Sequence, residues 1–387
     1  MRLTPGLLAC ISVLAVGWIV LLVPSLIRSI KLTYNQTDAG IGIVYFLSAL
    51  AYVAGSFGGG FLTERIGRRA VLGGAVLMMG VGVAVLGIAS TWTVFMLGTM
   101  VAGAGAGSVD GGANGLVLDV YREGLGRAMS LLHVSYSVGA LVAPLVIGTL
   151  VEREVPWQAV VAGTGAVIAT LALAYVVVPM PSGRRSTRAK VTHGALAAGE
   201  DRAHSLLTGP LLLLGIAIAA YTASEMGVSN WIVRFLEPAP LTTATLALSL
   251  YWVGLTLGRI VSSVIADWID HVRFALVCAF GVAAAIAVAV FAPSLPIAMT
   301  AFFAAGVASG PVFPMIVAVG GDRFPGRSAA VGGLLTGIAI IGTTIYPPAM
   351  GFMSVTVGLT AAMLGNAVLA GVCVIALGAV SRATRTG

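Results

Sequence analysis

The chain has 387 residues, of which 58% are hydrophobic and 9% charged. Soluble domains carry about 25% charged residues, so this composition cannot clothe a folded core in a water-facing surface and points to an integral membrane protein. The formal net charge of +7, from 21 basic and 14 acidic side chains, reads as loop charge that sets membrane topology and excludes a nucleic-acid surface.

A helix needs ~20 apolar residues to cross a bilayer, whereas a barrel strand appears as an alternating segment of roughly 10. The apolar runs here are continuous and rich in glycine. They predict twelve transmembrane helices over 6–29, 40–62, 70–90, 93–118, 128–150, 157–179, 209–233, 241–266, 274–292, 296–320, 328–349 and 358–380. Leu8-Ala9-Cys10 has the look of a lipoprotein box, but the first run continues well past the cysteine and reads as a membrane helix, not a cleaved signal. The second segment ends in a glycine and a basic cluster, Gly60 to Arg69. In the fourth, Gly103, Gly107 and Gly111 recur every four residues, a small-residue seam for close helix contact. No Lys-Ser/Thr follows this run, so it is no phosphate loop, and transport driven directly by ATP has no support.

After the sixth segment a polar stretch, 181–207, carries Arg184, Arg185, Arg188 and Lys190 and reads as a cytoplasmic basic linker. It separates an N-terminal bundle (1–180) from a C-terminal bundle (208–387). With both termini in the cytoplasm, seventeen of the 21 basic residues fall on the inner side, and Arg28, Lys31, Arg153 and Arg234 on the outer. That imbalance sets the orientation. The halves repeat at a shift of about 200 residues. Gly55, Gly60 and Glu64 are matched by Gly258, Ser263 and Asp267, and Asp119 with Gly126-Arg127 by Asp322 with Gly326-Arg327. Gly139, Pro144 and Gly148 are matched by Gly342, Pro347 and Gly351. Six helices per half is an even number, so the expected fold is all-α, two parallel pseudo-symmetric six-helix bundles, with a site between them near the midplane.

The run Gly60-Phe61-Leu62-Thr63-Glu64-Arg65-Ile66-Gly67-Arg68-Arg69 resembles the loop 2–3 signature of the major facilitator superfamily, with Glu64 where an aspartate is usual. The resemblance implies secondary transport by alternating access. It also implies a conformational latch made by Gly60, Glu64, Arg65, Gly67, Arg68 and Arg69, with Asp267 in the weaker second copy; Gly60 would let two helices approach closely. Asp110-Gly111-Gly112-Ala113-Asn114, Leu131-Leu132-His133 with Gly139 and Pro144, and Tyr221-Thr222-Ala223-Ser224-Glu225 followed by Trp231 look like the fucose/glucose permease branch. Members of that branch take up sugars with protons or sodium. The proton-coupled fucose permeases carry an important acid in the first helix, and residues 6–29 here hold none.

Only two acids, Asp110 and Glu225, lie well inside apolar helices. A carboxylate at the bilayer centre costs roughly 2.5–3.5 kcal/mol even on insertion scales, so each needs a partner, a watery cavity or a proton. Asp110 and Asn114 share one helix face, and an acceptor beside an amide suits a polyhydroxylated solute. His133 shares a face with Tyr136 and is able to bind hydroxyls or relay a proton. Tyr221 stands one turn before Glu225, and Asn230 and Trp231 follow it. These eight residues are the candidate binding set, and Asp110 and Glu225 the candidate coupling acids. No cofactor is expected beyond a coupling ion, proton or sodium, and no metal site. The three cysteines lie inside apolar runs and suggest no disulfide. The expected partners are a small solute and the lipid bilayer. The expected protein is a monomer of the cell (inner or plasma) membrane that imports a monosaccharide with a cation. A proton-coupled drug or metabolite exporter and a glycolipid flippase share the fold and stay open, and a non-transporting membrane sensor is the remote rival.

Overall fold

A computed structural model describes residues 4–121, 125–180, 209–265, 268–324 and 327–383, without the side chains of Glu64, Leu118, Asp119, Leu125, Gly126, Ser328, Ala329 and Ala383. Among these residues twelve helices are long and apolar enough to cross a membrane. Helix α1 runs from Pro5 to Tyr34 in two pieces, Pro5–Val20 and Leu22–Tyr34, joined at Leu21. The rest of the first half is α2 (Asp38–Ile66), α3 (Arg68–Ile88), α4 (Trp92–Val120), α5 (Leu125–Glu152) and α6 (Trp157–Val177). The second half is α7 (Gly209–Phe235), α8 (Leu241–Ile265), α9 (His271–Val290), α10 (Leu295–Arg323), α11 (Ser328–Thr356) and α12 (Leu359–Ala383). The basic linker expected at 181–207 lies outside the described residues.

Two boundaries differ from the sequence expectation by five residues or more. The first helix does not stop at 29; it continues to Tyr34, because Arg28 and Lys31 find partners and do not end it. Helix α11 passes through Pro347 and Pro348 to Thr356. A proline removes a backbone donor, and in a membrane helix neighbouring groups re-satisfy what it frees. The carbonyls freed are those of Thr343 and Thr344; the Trp231 indole donates to a different one, that of Pro347, at 2.8 Å, and ties α11 to α7.

By contacts the chain forms two compact units, Met1–Arg184 with Ile232–Ser249, and Arg185–Trp231 with Leu250–Gly387. In the first, α2 and α3 pack on α4, α3 on α6, and α1 on α5. Its core gathers Leu8, Val13, Leu72, Met79, Val109 and Leu116. In the second, α9 packs on α10 and α12, around Leu214, Ile218, Val312, Ile316, Leu335 and Leu377. Lipid tails are as apolar as these side chains, so association rests on close packing, which favours small residues at the contacts.

The glycines show this directly. A Cβ at Gly55, Gly103 or Gly107 would overlap the backbone carbonyl oxygen of Ala104, Ser48 or Tyr52, respectively. A Cβ at Gly258, Gly306 or Gly310 would overlap that of Val307, Tyr251 or Leu255. All three α2–α4 pairs recur in α8–α10 at one shift, 203 residues. The internal repeat read from the sequence is therefore a repeat of backbone contacts.

Candidate functional site

Within the first unit, the glycine seam carries α2 close enough to α4 for Tyr52 to reach Asp110, one turn beyond Gly107. The Tyr52 hydroxyl donates to the Asp110 carboxylate. The Asn114 amide donates to the Asp110 carbonyl at 2.9 Å and to its Oδ1 at 3.2 Å. From α5, His133 lies within electrostatic range of Asp110, and Tyr136 within range of Tyr52. Asp110, Asn114, Tyr52 and Tyr136 are half-buried and His133 is exposed. One carboxylate, one amide, two phenols and an imidazole thus converge from three helices, a donor and acceptor mixture suited to hydroxyl groups. Sequence reasoning missed Tyr52; the signal was the glycine seam itself, since it fixes which residues of α2 face Asp110.

Within the second unit, Glu225 is buried, 8% exposed. The Tyr221 hydroxyl is within hydrogen-bond reach of its carboxylate and donates to the Ser309 carbonyl at 2.8 Å. Tyr251 donates to the Glu225 main-chain carbonyl at 3.3 Å. The Arg259 guanidinium stands 3.6 Å from Glu225 Oε1, its side chain 37% exposed. Arg259, one of the seventeen basic residues assigned to the inner side, has its guanidinium turned toward Glu225. Next to this cluster, the Trp252 indole donates to Ser229 at 2.9 Å. Asn230 is buried, and Trp231 is fully buried with its indole on Pro347. The structure thus brings Tyr221 and Glu225 together with two residues outside the eight-residue candidate set, Tyr251 and Arg259, while Trp231 is committed to α11.

A third cluster joins the end of α1 and start of α2 to the end of α7 and start of α8, all in the first unit. Asp38, 4% exposed, accepts from Arg234 Nε at 2.9 Å and pairs with Lys31. Arg234 also pairs with Glu237. Arg28 donates Nε and Nη2 to the Val233 carbonyl at 3.0 and 2.8 Å, and Nη1 to the Ala239 carbonyl at 2.7 Å. Carbonyls in a helix's last turn lack intrahelical donors, so Arg28 caps α7. Asp38 sits in the first turn of α2, after an N-cap threonine that accepts from Gly40 N, where an anion suits the helix dipole. Three of the four cations expected on the outer side are therefore built into one network, and Lys31 and Arg234 occupy equivalent repeat positions.

At the opposite end of α2 the expected latch is only partly described. The side chain of Glu64 and the whole of Asp267 lie outside the described residues. Gly60 is exposed and a Cβ there would meet nothing within 4 Å. The close approach expected of Gly60 is made instead by Gly55, and by Gly59 against Ser108. Gly67, at φ 85°, forms the α2–α3 junction, a conformation that favours glycine. Arg65 lies over the Phe61 ring at 4.3 Å, Arg69 donates to the Val178 carbonyl at 2.9 Å, and Arg68 opens α3. In the second half the corresponding end is held by His271 Nδ1 and Asp322 at 2.8 Å. Among the described residues no group of His, Cys, Asp and Glu is arranged to hold a metal ion.

A sequence model of the Major Facilitator Superfamily matches residues 6–240 and again 213–386. The sodium-dependent glucose transporter 1A of Mus musculus is 29% identical over 111 residues, 29% of this chain, and the match spans 26% of that protein's length. The chain thus aligns with about a quarter of this curated relative. Among solved structures, a bacterial homologue of the human lysosomal transporter Spinster, in its inward-facing unoccupied conformation, superposes with a TM-score of 0.79 at 16% identity, covering 97% of this chain and 96% of that one. The E. coli fucose:proton symporter superposes with a TM-score of 0.64 at 18% identity, covering 97% and 98%. At such identities these likenesses concern the fold.

Proposed function

Since the chain belongs to the Major Facilitator Superfamily, and is a multi-pass membrane transporter and not an enzyme, we propose that it takes up a small neutral polyhydroxylated solute, a monosaccharide, together with a proton or sodium ion by alternating access. The observation that carries this reading is the convergence of Tyr52, Asn114 and His133 on the Asp110 carboxylate. Sugar hydroxyls both donate and accept, and a half-buried acid flanked by an amide and a phenol answers both needs. Such a face has little use for an amphipathic drug, whose recognition would call for an apolar wall. The similarity to sodium-dependent glucose transporters supports the same solute class and a coupled cation.

In this reading both termini are cytoplasmic, following the basic-residue imbalance, and the Asp38 network marks the outer face. The chain works as a monomer. A membrane potential contributes about 2.3 kcal/mol per charge per 100 mV, adequate to concentrate a neutral sugar carried with one cation.

The test is uptake of radiolabelled hexoses and pentoses into proteoliposomes under imposed proton or sodium gradients, with Asp110→Asn in parallel. Gradient-dependent accumulation of one sugar, lost in the variant, is the expected result. Failure of every sugar under both gradients overturns the reading and favours a proton-coupled exporter.

A further inference from the structure

The two intramembrane acids have unlike surroundings. Asp110 has Tyr52, Asn114 and His133 for partners among the described residues, two neutral donors and an imidazole. Glu225 has Tyr221 and, at 3.6 Å, the guanidinium of Arg259. An arginine is always charged. Placed beside a buried carboxylate it supplies the positive charge that would otherwise come from solution, and the Glu225–Arg259 pair sums to zero. Among the described residues Asp110 has no fixed cation beside it, which leaves its charge to a watery cavity or to an ion that comes and goes.

We propose that Arg259 is a built-in counter-ion that withdraws Glu225 from coupling, leaving Asp110, with His133 as its electrostatic neighbour, as the single carboxylate that loads a monovalent cation from solution. The inference rests on the reading of the protein as a cation-coupled transporter and deepens it by assigning the two acids opposite parts. Arg259 is here a positioning residue. It reaches Glu225 across α8 and α7, and a neutral residue in its place would leave a buried carboxylate unpaired, which such a site does not tolerate without taking a cation of its own.

The test uses purified full-length protein without solute, so that failure of the monosaccharide reading leaves it untouched. Cations bound per chain are counted twice, as radioactive sodium at fixed pH and as protons taken up across a pH step in sodium-free solution beyond the uptake of the Asp110→Asn/Glu225→Gln variant, which carries the share of all other titratable groups; the two arms tell the ions apart. Arg259→Gln is expected to double the count, the charge-neutral double variant Glu225→Gln/Arg259→Gln to return it to the wild-type value, and Asp110→Asn to abolish it. Arg259→Lys, which keeps the charge, is expected to keep the wild-type count, and it serves with the double variant if Arg259→Gln does not fold. A pair that merely stabilises the helices would lower the thermal midpoint in single variants and leave the count unchanged. That result overturns the inference. So does an Asp110→Asn protein that still binds the cation, a double variant that loses it, or a wild-type protein that binds neither ion.

Discussion

Where α2 meets α4, Gly103 and Gly107 face the carbonyls of Ser48 and Tyr52; where α8 meets α10, Gly306 and Gly310 face those of Tyr251 and Leu255 in the same register. Beside the first contact stand Asp110, Asn114 and Tyr52, and the residues 203 positions on are Phe313, Val317 and Leu255. Beside the second stand Glu225, Tyr251 and Arg259, and their mates 203 positions back are Leu22, Ser48 and Ser56. Helix approach has been kept in both copies because a backbone carbonyl leaves no room for a side chain. The polar chemistry has diverged because nothing in the packing demands it. The candidate site is thus found where the repeat fails, and the scaffold where it holds.

The sharpest way to break this comparison is through the shared contact. Gly107→Val and Gly310→Val each press a branched side chain against main-chain atoms, which cannot rotate away. Overpacking of a tight contact costs about 1–3 kcal/mol and occasionally more, and the obstruction here is backbone, so both variants are expected at or above the top of that range. The yield of monodisperse protein and its thermal midpoint measure this. Gly74→Val, where a Cβ meets nothing within 4 Å, is the control and is expected to change little. If Gly107→Val were ruinous and Gly310→Val harmless, the two contacts would not be structural equivalents.

A second test concerns one place where charge, unlike the site chemistry, survived the repeat: Lys31 and Arg234 stand at equivalent positions and share Asp38. Removing one partner of a buried ion pair costs about 3–5 kcal/mol. Asp38→Asn strands two cations at once, but these are 17% and 21% exposed, so the loss is expected near the bottom of that range. Lys31→Met leaves Arg234 on the acid and should cost less than about 1 kcal/mol. Thermal midpoints at low and high salt read both; equal losses would mean that Asp38 is not the hub.

Much of the fold was legible because hydropathy runs and glycine spacing report burial and helix contact directly. The twelve helices and the repeat follow from them. The ends of α1 and α11 were not legible, since the apolar runs thin out near 29 and 349 while the helices go on to Tyr34 and Thr356, and the α7 carbonyls that take up Arg28 lie on another helix. The site was legible by half. Asp110 and Glu225 stand out as charges in apolar helices, but Tyr52, Tyr251 and Arg259 are known only by what lies opposite them on another helix, and a linear sequence does not state that. Gly60 shows the converse error, a glycine given a contact by analogy that its neighbours Gly55 and Gly59 make instead.

The divergent chemistry can be probed with single hydroxyls. Tyr52→Phe removes the phenol from the Asp110 carboxylate. A hydrogen bond is worth about 0.5–1.5 kcal/mol, toward 1.5–3 when its acceptor is charged. Uptake at low solute concentration is expected to fall roughly tenfold. Tyr251→Phe removes a longer bond, 3.3 Å, to a main-chain carbonyl, and a loss of at most about threefold is expected. Equal losses would place the second cluster in the solute path on the same footing as the first.

The smallest expected effect lies at the exposed end of α2. Arg65 stands over Phe61 at 4.3 Å, and the residues 203 positions on, Trp268 and Val264, offer no such pair, so this contact belongs to one copy alone. A cation over an aromatic ring at an exposed site contributes about 0.5–1 kcal/mol. Arg65→Gln should lower the thermal midpoint by no more than that, while the Gly67 junction and the Arg69 bond to Val178 still hold α2 and α3 in place. The contact therefore separates two roles a basic cluster can play. If Arg65 only steadies the helix end, the uptake rate will follow the small loss in stability. If it latches one conformation, the ratio of inside to outside accessibility of an introduced cysteine will change by more than the stability does, and the first copy of the repeat will be the one that sets the resting state.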